Sequence, residues 1–250
     1  MNNPVIFEQP LNETIRLCLI LEQLLQQARE SVQSATTIHQ TQHAVNTIIK
    51  LIQIIERPDL KGKLTKALSQ HAAHLAQLEN NTQVCQTTLS ETLAEVDALA
   101  DAMHAKTANF TQDLKSQPLL KSVLQYSNTP GGPAYFHIPN YHLWLHQDNL
   151  IKQSNMLDWL RCFDLVQKCC ATLLRLTRLS TNFHAKQAVD SFYQQNLSAQ
   201  PVTQLIRVKI SDDMGVWPEI SVGRHRLAIY FVSAQDANKS SVSFELACCY

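Results

Sequence analysis

Leu205-Ile-Arg-Val-Lys-Ile210 and Arg224-His-Arg-Leu-Ala-Ile-Tyr-Phe231 decide how this chain is read. In the first run Ile206, Val208 and Ile210 are apolar, and the charged Arg207 and Lys209 stand between them. In the second, Leu227, Ile229 and Phe231 are apolar, while Arg224, Arg226 and Tyr230 fall on the alternate positions. Successive side chains of a strand point to opposite faces, so each run buries one face and turns the other outward. Val242-Ser-Phe-Glu-Leu246 repeats the alternation, and its Glu245 is the one acid among four outward basic residues. From about Gln187 onward the chain reads as strands.

The chain upstream has a different period. Val5-Ile-Phe7 reads as a short strand stopped by Pro10, after which Asn12 caps a helix carrying Ile15, Leu19, Leu21, Leu24, Leu25 and Ala28 at helical intervals. A second helix starts near Thr37, with Val45, Ile48, Ile49, Ile52 and Ile55 on one stripe, and ends at Arg57-Pro58. Asp59 is placed to cap a third helix. Leu89, Leu93, Val96, Leu99 and Met103 mark a fourth, and a short one lies near Leu119–Leu124. Pro130-Gly-Gly-Pro133 is a loop, Ala134–Ile138 alternates like a strand, and Met156–Leu179 reads as one further, very apolar helix. The prediction is α+β, with an antiparallel helical bundle (10–129 and 150–182) and a smaller antiparallel β-strand domain. The β-strand domain draws on both chain ends and a middle segment (1–9, 130–149 and 183–250).

Composition narrows the function. The 250 residues carry 21 basic and 21 acidic side chains, so the bulk basic excess usual in nucleic-acid binders is missing. Met-Asn-Asn-Pro at the start does not read as a signal peptide, and the most apolar run, Leu17–Leu25, is broken by Glu22 and Gln23. These features predict a cytoplasmic protein with no membrane association. Of seven cysteines, Cys169-Cys170 and Cys248-Cys249 are adjacent pairs, a separation that suits neither zinc nor a redox motif. They read as small buried apolar groups in a reducing compartment. His142 and His146 have the spacing of metal ligands on a helix, as do His39 with His43, but no third ligand accompanies either pair. No nucleophile motif or phosphate loop is present, so the sequence predicts a protein that is not an enzyme, with no cofactor and no metal.

Further landmarks resemble one family. Val5-Ile-Phe-Glu-Gln-Pro-Leu-Asn-Glu13 with Arg16 and Glu22, and Pro130-Gly-Gly with Phe136-His-Ile-Pro139 and His142-Leu-Trp-Leu-His146, are similar to ZapD cell-division proteins. So are Phe192-Tyr-Gln-Gln-Asn196, Trp217-Pro-Glu-Ile-Ser221, Arg226-Leu-Ala-Ile-Tyr-Phe231 and Phe244-Glu-Leu-Ala-Cys-Cys249, all in matching order along the whole chain. The resemblance implies a homodimer that grips the C-terminal tail of the tubulin-like protein FtsZ. It further implies recruitment to the Z ring at midcell and the cross-linking of FtsZ filaments into bundles.

The resemblance also implies site residues. Arg57 and Arg226 match basic family positions implicated in tail binding. Tyr230 stands where the pattern usually has a second arginine, and Ile20 where an arginine can occur. Arg224 is close enough to replace the first loss, Arg16 or Lys115 can cover the second, and His142 either lines the same groove or packs. Two other readings use the same features: a nucleic-acid-binding module on the basic strand face, and a metal hydrolase at His142 and His146.

Overall fold

Asn12 begins the first helix as its position requires: its Oδ1 accepts a hydrogen bond from the Ile15 backbone N–H at 2.8 Å. The computed structural model describes residues 4–78, 84–106, 110–129, 133, 136–198, 201–223, 225–233 and 241–250. Its backbone contacts divide the chain into one unit of residues 1–17 with 174–250, and a second of residues 18–173.

The second unit is helical. It holds most of α1 (Glu13–Gln33), then α2 (Ile38–Ile55), α3 (Leu60–Ala76), α4 (Gln86–Ala105), α5 (Gln112–Ser116) and α6 (Pro118–Tyr126). After these come α7 (Pro139–Leu145), α8 (Asn149–Arg161) and most of α9 (Asp164–Leu179). Thr37 and Gln40 form a reciprocal capping box at the start of α2, satisfying two backbone donors that helix geometry leaves over. The apolar stripe expected for α2 is buried, with Ile48, Leu51 and Ile52 fully enclosed. Asp59 departs from expectation. Its carboxylate makes no bond to the N-terminal amides of α3 and goes instead to Lys63 Nζ at 2.7 Å and Arg57 Nη2 at 3.3 Å.

Two element assignments are corrected. The span Met156–Leu179 is two helices, because the backbone tightens after Arg161: the N–H groups of Cys162 and Phe163 bond three residues back, to Trp159 and Leu160. Phe163 is fully buried at that break. Ala134 and Tyr135 lie outside the described residues, but Phe136 and His137 form a turn and Pro139 opens a helix rather than continuing a strand. Proline has no N–H and a fixed φ suited to the first helical turn, which explains the outcome. Helix α7 belongs to the helical unit.

The first unit carries an antiparallel seven-stranded sheet: β1 (Pro4–Pro10), β2 (His184–Val189), β3 (Phe192–Asn196), β4 (Leu205–Ser211), β5 (Val216–Val222), β6 (Arg226–Ser233) and β7 (Ser241–Cys249). The strand order is β1-β4-β7-β2-β3-β6-β5, so the amino-terminal strand forms one edge. Asp190 and Ser191, at φ of 50° and 59°, make the two-residue left-handed turn that suits strand twist. Past that turn β2 and β3 share a single residue pair, Val189 with Phe192, and then part. Three strand spacings of a flat sheet, roughly 14 Å, separate β6 from β7. The rings of Phe231 and Phe244 on those strands are nevertheless 4.9 Å apart. The sheet therefore folds over along the β2–β3 hairpin, enclosing Ile206, Val208, Ile210, Leu227, Ile229 and Leu246. All but Leu246, which belongs to the third alternating run, are alternate apolar positions of the two opening runs.

Candidate functional site

With the apolar face of β6 turned inward, Arg226, Ala228, Tyr230 and Val232 are left on its outer face. Register places β3 and β5 residues beside them: Asn196 opposite Arg226, Gln194 and Ser221 opposite Ala228, Phe192 and Glu219 opposite Tyr230, and Trp217 opposite Val232. Tyr230 is 52% exposed and Trp217 40% exposed, unusual for aromatic side chains. The rings of Tyr230 and Phe192 lie 4.6 Å apart, tilted against one another. Arg226 is exposed, and its guanidinium makes no hydrogen bond or ion pair among the described residues.

The end of the sheet near Arg226 opens on a cavity of about 650 Å³ lined by Arg16, Gly223 and His225 together with Leu11, Leu197 and Val222, which pack against the core. The Leu197 N–H donates to the His225 carbonyl at 2.9 Å, which ties the end of β3 to the β5–β6 turn. Arg16 and the turn before Arg226, distant in sequence, thus line one opening. Arg16 itself is engaged only loosely, with Glu13 Oε2 at 4.0 Å. Arg224 lies outside the described residues.

The other outward cations of the sheet are occupied. Arg207 Nε donates to Glu8 Oε1 at 2.9 Å, and Arg178 clamps the same carboxylate with Nε at 2.9 Å and Nη2 at 2.7 Å. Lys209 Nζ meets Glu245 at 2.9 Å. The Phe183 ring covers both, with the Arg207 guanidinium 5.0 Å and the Lys209 ammonium 5.6 Å from its centre. Two of the four outward basic residues expected on one strand face, Arg207 and Lys209, are therefore neutralised within the sheet.

In the helical unit Arg57 and Lys115 occupy one corner. Lys115 Nζ bonds Glu56 Oε1 at 2.7 Å, and the same oxygen accepts from Thr111 Oγ1 at 2.7 Å. Arg57, Lys63 and Lys115 meet two carboxylates there, Glu56 and Asp59. The hydrogen bond from Lys63, with a further one from Arg57, holds the Asp59 carboxyl below its ordinary range despite slight desolvation. His142 is exposed, on the outer side of α7, with its ring 4.8 Å from that of His146. Among the described residues no group of three or more His, Cys, Asp or Glu side chains is arranged to hold a metal ion.

The cysteines divide by burial. Cys18, Cys169, Cys170 and Cys249 are buried and all seven are free thiols, but Cys85 is exposed, against expectation. Desolvation pushes the Cys169 thiol up to about 12 and the Cys249 thiol to about 11, so both stay protonated and inert at neutral pH.

The family model described as "ZapD: Cell division protein" matches residues 19–230. The chain is 31% identical to the cell division protein ZapD of Methylococcus capsulatus, across 100% of this chain and 99% of that protein. It is also 31% identical to the Coxiella burnetii ZapD (98% and 97% covered) and 32% identical to the Vibrio vulnificus one (97% and 98% covered).

The chain belongs to the ZapD family.

It is thus a cell division protein, and no helix among the described residues is long and apolar enough to cross a membrane. The site residues that the resemblance suggests occupy two places: Arg226, Tyr230 and Arg16 in the β unit, Arg57, Lys115 and His142 in the helical unit. Phe192, Trp217, Glu219 and His225 were not singled out as site residues from sequence. The signal was present for Trp217, since in Val216-Trp-Pro-Glu-Ile220 the alternation puts it on the same face as Glu219, away from buried Val216 and Pro218.

Proposed function

We propose that this protein is a non-enzymatic cell-division factor that binds the C-terminal tail of FtsZ. Acting as a homodimer in the cytoplasm, it cross-links FtsZ filaments at midcell and so promotes assembly of the Z ring. The observation that carries this reading is Arg226: an exposed guanidinium without a partner among the described residues, on a sheet face that also exposes aromatic rings. A carboxylate gains two parallel charge-assisted bonds from such a group without breaking an existing pair. Arg16, Arg57, Lys115 and His142 are the further side chains that the family resemblance suggests for contact with that segment.

A two-headed protein needs only weak single grips. A micromolar site corresponds to about −8 kcal/mol, and two tethered grips on neighbouring filaments raise avidity without new contacts. Nucleic-acid binding is the weaker reading, since Arg207 and Lys209 are neutralised by Glu8 and Glu245. Co-sedimentation with FtsZ polymers tests the proposal. The protein should pellet with intact FtsZ and stay in solution with FtsZ lacking its tail, and light scattering should give about twice the 28.3 kDa chain mass. Equal pelleting with tail-less FtsZ, or a monomer at micromolar concentration, sinks it.

A further inference from the structure

Charge alone does not describe the outer face of β6. Reading along the strand, side chains on one face are about 7 Å apart. Arg226 comes first, then Ala228, then Tyr230 backed by Phe192, then Val232 beside Trp217. Ala228 has only Gln194 and Ser221 beside it, so a shallow recess lies between the guanidinium and the Tyr230–Phe192 ring pair. Glu219, exposed and opposite Tyr230, sets a negative charge beside the ring pair, with Val232 and Trp217 beyond it. Neither the Arg226 nor the Glu219 side chain is paired among the described residues, so the face runs from positive at Arg226 through the apolar recess to negative at Glu219.

We propose that this face seats a peptide in a fixed direction: a carboxylate on Arg226, a bulky apolar side chain in the Ala228 recess against the Tyr230 ring, and a basic side chain at Glu219. Tyr230 is then the residue that sets specificity, through apolar contact. The proposal rests on the reading of the partner as the FtsZ tail and adds to it which side chains the tail must present, and in what order. Addition of the peptide as an eighth strand is disfavoured. The Phe231 N–H points to Ser191 on the β3 side, at 2.8 Å, so in β5 the residue opposite, Pro218, turns its nitrogen toward the free edge. A proline there offers no donor to an incoming strand. Recognition therefore falls to the outer side chains.

The physical consequence is a binding component that salt does not remove. Screening weakens exposed ionic contacts, but apolar burial persists or strengthens. The test uses the full-length protein and a labelled peptide of the FtsZ C-terminal tail, with affinity measured at low and at about 0.5 M (roughly threefold physiological) salt. Tyr230→Ser should weaken binding about tenfold at both salt concentrations, whereas the loss on Arg226→Ala should shrink at high salt. Ala228→Gln, which fills the recess, should weaken binding to a similar extent. Glu219→Lys should weaken the native peptide and favour one whose basic residue is exchanged for an acid. Melting temperature verifies folding of each variant.

Tail binding by the natural protein that survives Tyr230→Ser and Ala228→Gln within twofold overturns the apolar seat and leaves the tail-binding reading standing. No tail binding by the natural protein overturns both. If Tyr230→Ser turns a dimer into a monomer, the face joins two copies of this chain and the proposal is wrong.

Discussion

The outer face of β4 and β7 and the outer face of β6 carry similar alternating patterns, yet they differ in where their countercharges come from. On β4 each cation meets an acid from a neighbouring strand, Glu8 of β1 for Arg207 and Glu245 of β7 for Lys209, under the lid of Phe183. On β6 the neighbours of Arg226 are Asn196 and Gly223, and no acid reaches it among the described residues. Side-chain exposure follows the pairing: Arg207 is 16% exposed. A strand face rich in arginine can thus be internal scaffolding or open surface, depending on strands far away in sequence.

The comparison breaks most sharply at Glu8. Glu8→Ala removes the carboxylate that half-buried Arg178 and Arg207 share. It should cost about 3 kcal/mol, at the low end for a broken internal pair because the group keeps some solvent contact. Urea unfolding should show the midpoint fall, and an unchanged midpoint would mean water satisfies both guanidinium groups. Arg226→Glu makes the complementary case. Its stability should stay within about 0.5 kcal/mol, while FtsZ co-sedimentation weakens by roughly ten- to a hundredfold, the equivalent of about 1.5–3 kcal/mol.

Smaller effects sharpen the contrast. Lys209→Ala removes an ion pair that is partly exposed and should lower stability by no more than about 1 kcal/mol, with FtsZ binding untouched; a binding defect would return β4 to the candidate site. His71 on α3 supplies a case without a countercharge. Burial first, and the neighbouring His74 second, lower its pKa from the ordinary 6.5. The folded chain therefore binds fewer protons there than the unfolded chain, so stability declines as pH falls below about 6.5. In His71→Gln, thermal melting between pH 7 and pH 5 should show a shallower decline than in the natural protein.

Some of this was legible in residues alone. The two-residue period of 205–210 and 226–231 fixed which side chains enclose the core, since a one-residue slip would expose every apolar position at once. Asn12, Thr37 and Pro58 punctuate the helices by local chemistry that neighbours several residues away suffice to determine. The break at Cys162-Phe163 carries no such punctuation, neither glycine nor proline, and arises where the Phe163 ring enters the core. Pro139 was readable as a helix start, but strand-like alternation just before it pointed the other way.

By itself, then, the chain determined its two periods, its inward faces and, through the order of its motifs, its family. The pairing of cations was decided only by tertiary structure. Glu8 and Arg207 are far apart along the chain and become opposite neighbours because β1 joins β4 in one register. Arg16 reaches the β5–β6 turn by the same long-range closure. Local propensities act over a few residues, whereas ion pairing requires atoms within about 4 Å, a distance that strand order sets and sequence spacing does not. That is why Arg226 and Arg207 look alike in the sequence, and why in the fold Arg226 alone of the two is open to a partner.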